Sequence, residues 1–197
     1  MGKYSFLGLF YMIYCVIRTK LLFPKARIIR FPFDLRDKKH IQIGKSFTAG
    51  RNCRFEGTAN IPKGFKTLLI GDNVQMNDFV HITAGERVEI QSNVLIASKV
   101  YISDTVHGSY GKHDVHSDPM IPPSERPLIT LPVVIEENVW LGDSVCVLPN
   151  VTIGKGSIIG ANAVVTKSIP PFSIAAGIPA RVIKKYNFDS KQWESIK

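Results

Sequence analysis

Starting at Ile135, every sixth residue is branched and apolar: Ile135, Leu141, Val147, Ile153, Ile159 and Val165. Val, Ile and Leu make up about a quarter of the chain, so six consecutive hits arise by chance with a probability of roughly 0.0003 per starting point. Four positions after each stand Val139, Val145, Val151, Ser157, Ala163 and Ile169, all small or apolar, and glycine follows the branched residue at Gly142, Gly154 and Gly160. A helix requires a period of 3.6 and an ordinary strand a period of 2. A unit of six is a short strand plus a turn, and stacked units bury their branched side chains in one column. The chain is a solenoid.

The hexad returns upstream in separate registers. Ile70, Met76 and Ile82 form one run and Ile90, Ile96 and Ile102 another, with a two-residue slip between them. A degenerate start lies at Ile43, Ala49, Phe55 and Ile61, with Phe47, Cys53, Ala59 and Phe65 four places on. One long interruption, about 104–132, holds five prolines and the histidines His107, His113 and His116. A loop of that length inside a compact solenoid is usually functional. The expected organisation is an N-terminal apolar and basic segment over 1–40, a solenoid over 41–185, and a short helix over 186–197. Asp189 with Gln192 three later reads as a capping box for that helix, which with the N-terminal segment would cap the solenoid ends.

The formal charge of the 197 residues is +9, and residues 1–39 hold nine basic side chains against Asp34 and Asp37. The basicity therefore belongs to one segment and draws it toward polyanions. Tyr4 to Ile17 is uncharged and aromatic-rich, too short to span a bilayer and without a cleavage site after it. Two readings stay open: a helix packed on the protein, or an interfacial anchor with a basic flank on anionic headgroups. Nucleic acid is not the expected partner, because apolar bulk of this kind does not track a phosphate backbone. Three cysteines, an odd number with no C-x-x-C, point to a reducing, cytoplasmic setting, to which the anchor reading of the N-terminal segment would add peripheral contact at the inner face of the membrane.

The hexads resemble those of the left-handed parallel β-helix, an all-β fold in which three hexads make one triangular coil. The runs above amount to about five coils, or about 25 Å at ~4.8 Å per rung. The strings "NVWLG", "IGANAVVTKSIPP" and "AGIPARVI" resemble the hexapeptide-repeat acetyltransferases, in the branch of the maltose, galactoside and xenobiotic O-acetyltransferases. At a finer level "RIIRFP", "IASKVYISD", "HGSYGKHDVHSDP" and "YNFDSKQWESI" resemble lipopolysaccharide O-antigen acetyltransferases across most of the chain.

The resemblance implies a homotrimer that binds acetyl-CoA between adjacent prisms, with His107 as general base and no metal. The chemistry suits the residue. A sugar hydroxyl is too weakly acidic to attack a thioester unaided, and an imidazole of ordinary pKa near 6.5 can take its proton. By the same resemblance Trp140 walls the site and Asn77 hydrogen-bonds the acceptor sugar, with Asp78 a weaker candidate. Gly142, Asp143, Ala161, Thr166 and Lys167 would line the cofactor groove, Ala161 offering backbone groups to the pantetheine arm. Arg181 and Lys184 would sit near the adenosine phosphates, where cations are physically apt. Relatives often carry serine where this chain has Asp143, so that acid would have to turn away or accept from an amide. Cys146 reads as packing, and His40 and His81 as structural.

The implied activity is transfer of acetyl to a sugar hydroxyl of a surface polysaccharide, or of its lipid-linked precursor. Acetylation of a free small sugar or xenobiotic remains the alternative within catalysis. A trimeric metalloenzyme of carbonic anhydrase type, with zinc on His107, His113 and His116, or a non-catalytic scaffold, are the alternatives outside it.

Overall fold

The computed structural model describes residues 5–57, 64–111 and 115–196. Ala59 and Ile61 of the degenerate hexads, and His113 of the loop, lie outside them. Short parallel strands stack into three faces. The first face runs Ile28–Ile29, Thr48–Ala49, Gln75–Met76, Leu95–Ile96, Trp140–Leu141, Ile158–Ile159 and Ser173–Ala176. The second runs Phe33–Arg36, Cys53–Gly57, His81–Ala84, Tyr101–Ser103, Cys146–Val147 and Val164–Val165. The third runs Ile41–Ile43, Leu68–Ile70, Val88–Ile90, Val133–Ile135 and Thr152–Ile153. The chain visits them in rotation, and the fold is the left-handed parallel β-helix.

The hexad accounts for this geometry residue by residue. Ile135, Leu141, Val147, Ile153, Ile159 and Val165 are at most 1% exposed, and the residues four places on are buried with them. Three places after the branched residue, the backbone turns the corner with positive φ at Asn138, Ser144, Asn150, Gly156 and Asn162. Asn and Gly tolerate that left-handed conformation best. The upstream corners repeat it at Asn73, Asn93, Phe79 and Lys99.

Three expectations need correction. The solenoid begins earlier than residue 41: Ile28–Ile29 pairs with Thr48–Ala49 and Phe33–Arg36 with Cys53–Gly57, so the first of its five complete three-strand coils starts inside the N-terminal segment. The N-terminal segment is thus two things, α1 (Phe6–Leu22) and two of the three strands of the first coil. Last, residues 186–197 are not a helix. Arg181–Asn187 and Gln192–Ser195 form an antiparallel hairpin on the end of the first face, with Tyr186 paired to Trp193. The Asn187 side chain accepts the Asp189 and Ser190 amides, closing a turn where a helix cap was expected.

Candidate active site

His107 stands at the corner between the second and third faces. The chain leaves the second face at Ser103 and returns through two antiparallel strands, Thr105–His107 and Leu128–Thr130, with His107 opposite Leu128. Asp104 anchors this excursion. It is fully buried, and its carboxylate accepts the amides of Gly85, Glu86 and Arg87 at 2.7–2.8 Å. On the far side of His107 the loop is tied down by Tyr110, whose hydroxyl donates to the His107 carbonyl at 2.9 Å and accepts from Arg126 at 2.7 Å. Gly108 has φ +100° and a Cβ there would lie 2.3 Å from the Tyr110 hydroxyl, so the residue after the histidine must be glycine.

The His107 imidazole is exposed, and no described residue hydrogen-bonds it. It borders a groove of about 320 Å³ that descends this edge past Thr105, Thr83 and Glu56 to Arg36 and Asp37. Glu56 was not singled out in the sequence, since it sits in a degenerate hexad with no motif around it. It accepts from Arg36 at 2.8 Å, from both Arg54 nitrogens, and from His81 at 3.1 Å. Burial alone would raise its carboxyl pKa, but the Arg54 and His81 hydrogen bonds and the Arg54 and Arg36 charges hold it below the ordinary glutamate value. An ionised carboxylate in a groove is suited to accept sugar hydroxyls. His81 is held by this contact with Glu56, and buried His40 is bonded to the Phe65 carbonyl at 2.8 Å.

The remaining positions divide between two edges. Thr166 and Lys167 follow Val164–Val165, on the same edge as His107 and two rungs beyond it. Asn77, Gly142, Asp143 and Ala161 line the opposite corner, between the first and second faces. Trp140 leads into that corner on the first face, two rungs from Asn77 and 47% exposed. One chain therefore does not bring Trp140 or Asn77 to His107. Gly142 is packed so tightly that a Cβ would lie 2.7 Å from the Ala161 amide nitrogen. This keeps backbone exposed along the corner, where Ala161 is open to solvent.

Asp143 accepts the Ser98 amide at 2.9 Å, as Asp78 accepts that of Arg51 at 2.9 Å on the same edge. Both acids cap a neighbouring coil, and Asp78 also pairs with Arg30 at 2.6 Å. Beside Asp78, Phe79 is 53% exposed in a left-handed conformation that a large side chain adopts only at a cost. Arg181 and Lys184 lie opposite Ala176 and Ile174, and the bulge at Ile183 puts both on the outer side of the sheet.

Among the described residues no group of three metal-ligating side chains gathers, and His116 contacts the Gly111 carbonyl at 3.1 Å. Burial pushes the Cys53 thiol up to about 11 and raises that of Cys146, which leaves both poor nucleophiles.

A triangular hexad prism with an imidazole at the root of its long loop defines a hexapeptide-repeat acyltransferase. Comparison with known proteins agrees, and the chain belongs to the hexapeptide-repeat acetyltransferase family. Residues 132–167 match the family model "Bacterial transferase hexapeptide (six repeats)". WbbJ of Escherichia coli, which carries the name of a lipopolysaccharide biosynthesis O-acetyl transferase, is 43% identical over 98% of this chain and 95% of its own. Galactoside O-acetyltransferase of Escherichia coli is 35% identical over 80% of this chain and 73% of its own. A solved galactoside acetyltransferase, in complex with coenzyme A, superposes with a TM-score of 0.53 at 27% identity, covering 84% of this chain and 72% of that one. AntD, an N-acyltransferase from Bacillus cereus, shares the fold with a TM-score of 0.66 at 21% identity, over 84% of both chains.

Proposed function

We propose that this protein is an acetyl-CoA-dependent O-acetyltransferase acting on a sugar hydroxyl of a surface polysaccharide, such as O-antigen or capsule, or of its precursor. The observation that carries the reading is the separation of the site residues onto two edges of one prism. His107, Thr166 and Lys167 on one edge and Asn77, Trp140, Gly142 and Ala161 on the other become a single site when a neighbouring chain of a homotrimer is docked between them. The pantetheine arm lies along the exposed backbone at Gly142 and Ala161, facing Thr166 and Lys167 of the neighbour. Arg181 and Lys184 meet the adenosine phosphates. Asp143 is engaged as a corner cap and acts through backbone position.

His107 removes the proton of the acceptor hydroxyl as its oxygen attacks the thioester carbonyl. The tetrahedral oxyanion is held by a backbone N–H. Collapse expels the CoA thiolate, which recovers the proton from the imidazolium, so the products are the sugar acetate and the free thiol. Asn77 and the Glu56 groove hold the acceptor. We place the enzyme in the cytoplasm, with α1 against the inner face of the membrane: its basic flank and exposed apolar side chains suit that contact, although no described helix is long and apolar enough to cross.

The test is acetyl-CoA turnover with cell-envelope glycans by wild type and His107→Ala. The substitution should lower kcat by about 10²–10⁴, with little change in acetyl-CoA affinity. Retention of near-full transfer would overturn the assignment.

A further inference from the structure

Two phenylalanines hold the left-handed backbone conformation, Phe79 at φ 62° and Phe172 at φ 53°. That conformation crowds any Cβ, and a bulky residue persists in it only where something offsets the cost. For Phe172 the offset is visible: its ring meets Phe188 edge-on at 4.9 Å, within the aromatic cluster of the C-terminal hairpin. Phe79 has no such partner. Its ring is 53% exposed, and among the described residues no aromatic ring or cation stands against it. The fold around it gives no reason for a phenylalanine at this position.

The same rung carries a second irregularity. Along the corner between the first and second faces, the residue that follows each first-face strand is Gly50, Asn77, Ala97, Gly142 or Gly160. Two places on, at the left-handed position, stand Asn52, Phe79, Lys99, Ser144 and Asn162. Among these rungs only that of Asn77 sets a hydrogen-bonding side chain in the first column and a ring in the second. The two residues are the first and third of the turn 77–80, whose end Cα atoms lie within about 7 Å of each other. Both are exposed. An amide and an apolar ring thus flank one small patch of surface, two rungs from Gly142.

Sugars present these two chemistries together. The C–H bonds on one face of a pyranose carry slight positive charge and pack on the negative face of an aromatic ring. Hydroxyls at the rim need a group that both donates and accepts, as a carboxamide does. We propose that Phe79 is the stacking platform for the acceptor sugar, with Asn77 at the edge of the ring taking one of its hydroxyls. This rests on the acetyltransferase reading above and adds a specificity-determining residue to it. The acceptor is then a pyranose with one unsubstituted C–H face, and a sugar whose substituents project from both faces is rejected. The ring orients the acceptor and takes no part in proton transfer, so it acts on acceptor binding and leaves the acetyl-CoA side alone.

The test is acetyl transfer to the cell-envelope glycan that the wild type accepts, comparing Phe79→Asn, Phe79→Leu and Phe79→Tyr. Asparagine suits the left-handed backbone, so Phe79→Asn should raise Tm while raising the acceptor KM about fivefold or more. Acetyl-CoA affinity should hold. Phe79→Leu keeps apolar bulk without the ring and should show the same KM loss, whereas Phe79→Tyr keeps the ring and should restore KM. A merely structural ring would not move stability and acceptor binding in opposite directions. An unchanged KM in Phe79→Asn, or full rescue by leucine, would overturn the proposal. So would a lower Tm with loss of assembly in sedimentation, which would assign the ring to packing between chains. Wild type that binds acetyl-CoA but transfers to no glycan defeats the acetyltransferase reading and this one with it; normal transfer with a KM indifferent to the ring defeats this inference alone.

Discussion

The Asp104 carboxylate holds the amide of Gly85 at 2.7 Å and so fixes the root of the His107 loop to the coil beneath it. Its second oxygen takes the amides of Glu86 and Arg87, both at 2.8 Å. Two residues separate this anchor from His107, and the two ends of the excursion pair as strands directly beyond it. A fully buried acid with three backbone donors is both a stability element and a positioning element for the imidazole.

Asp104→Asn places an amide NH₂ or an uncharged oxygen against donors that need a charged acceptor. The expected loss is about 2–4 kcal/mol of unfolding free energy, read by urea denaturation. In folded protein kcat should fall while acetyl-CoA affinity holds. An Asn variant of wild-type stability would show that the cradle is dispensable.

Glu56 predicts an acid-sensitive groove. Its folded pKa lies below the ordinary value of 4.5, so its ion pairs contribute stability that is fully present above that value. The contribution disappears as pH falls through the lower folded value, because the unfolded chain takes up the proton first. The Tm difference between wild type and Glu56→Gln should be constant from pH 5 to 7 and shrink below about pH 4. A difference unchanged down to pH 3 would place the stabilisation elsewhere.

The prism was legible because period six leaves no other way to bury Ile135 through Val165, and the core follows that period to the residue. The corners were legible too, in Asn138, Asn150 and Asn162, although only the glycines drew notice. The first coil was hidden: its strand Ile28–Ile29 has two residues, and the hexad it opens, Ile29, Leu35 and Ile41, is too short to stand out. The C-terminal hairpin was misread because Asp189 and Gln192 fit a cap, whereas the decisive signal was the cross-strand pair of Tyr186 and Trp193. Motif resemblance pointed to His107, Asn77 and Ala161. It did not reach Glu56, whose place comes from Arg36, Arg54 and His81 converging on it from separate rungs.

The outward placement of Arg181 and Lys184 depends on the bulge at Ile183. Arg181→Ala and Lys184→Ala should each weaken acetyl-CoA binding by about tenfold or more through a lost charge-assisted contact. The effect on pantetheine thioesters lacking the adenosine phosphates should be negligible. Equal losses for both ligands would indicate damage to the hairpin.

The division of residues between two edges makes a prediction that no single-chain site shares. His107→Ala and Asn77→Ala homotrimers should each be severely impaired, since every site then lacks one partner. In a trimer refolded from equal amounts of the two variants, some sites take His107 from an Asn77→Ala chain and Asn77 from a His107→Ala chain. Random assembly makes such sites about one quarter of the total, so acetyl transfer should recover to about a quarter of wild type. A site built within one chain would recover nothing, because every chain would still carry one of the two lesions. Native mass spectrometry of species near three times 22.0 kDa, which resolves the different masses of the two variant chains, shows that mixed trimers were present. Absence of recovery under those conditions would rule out the shared site.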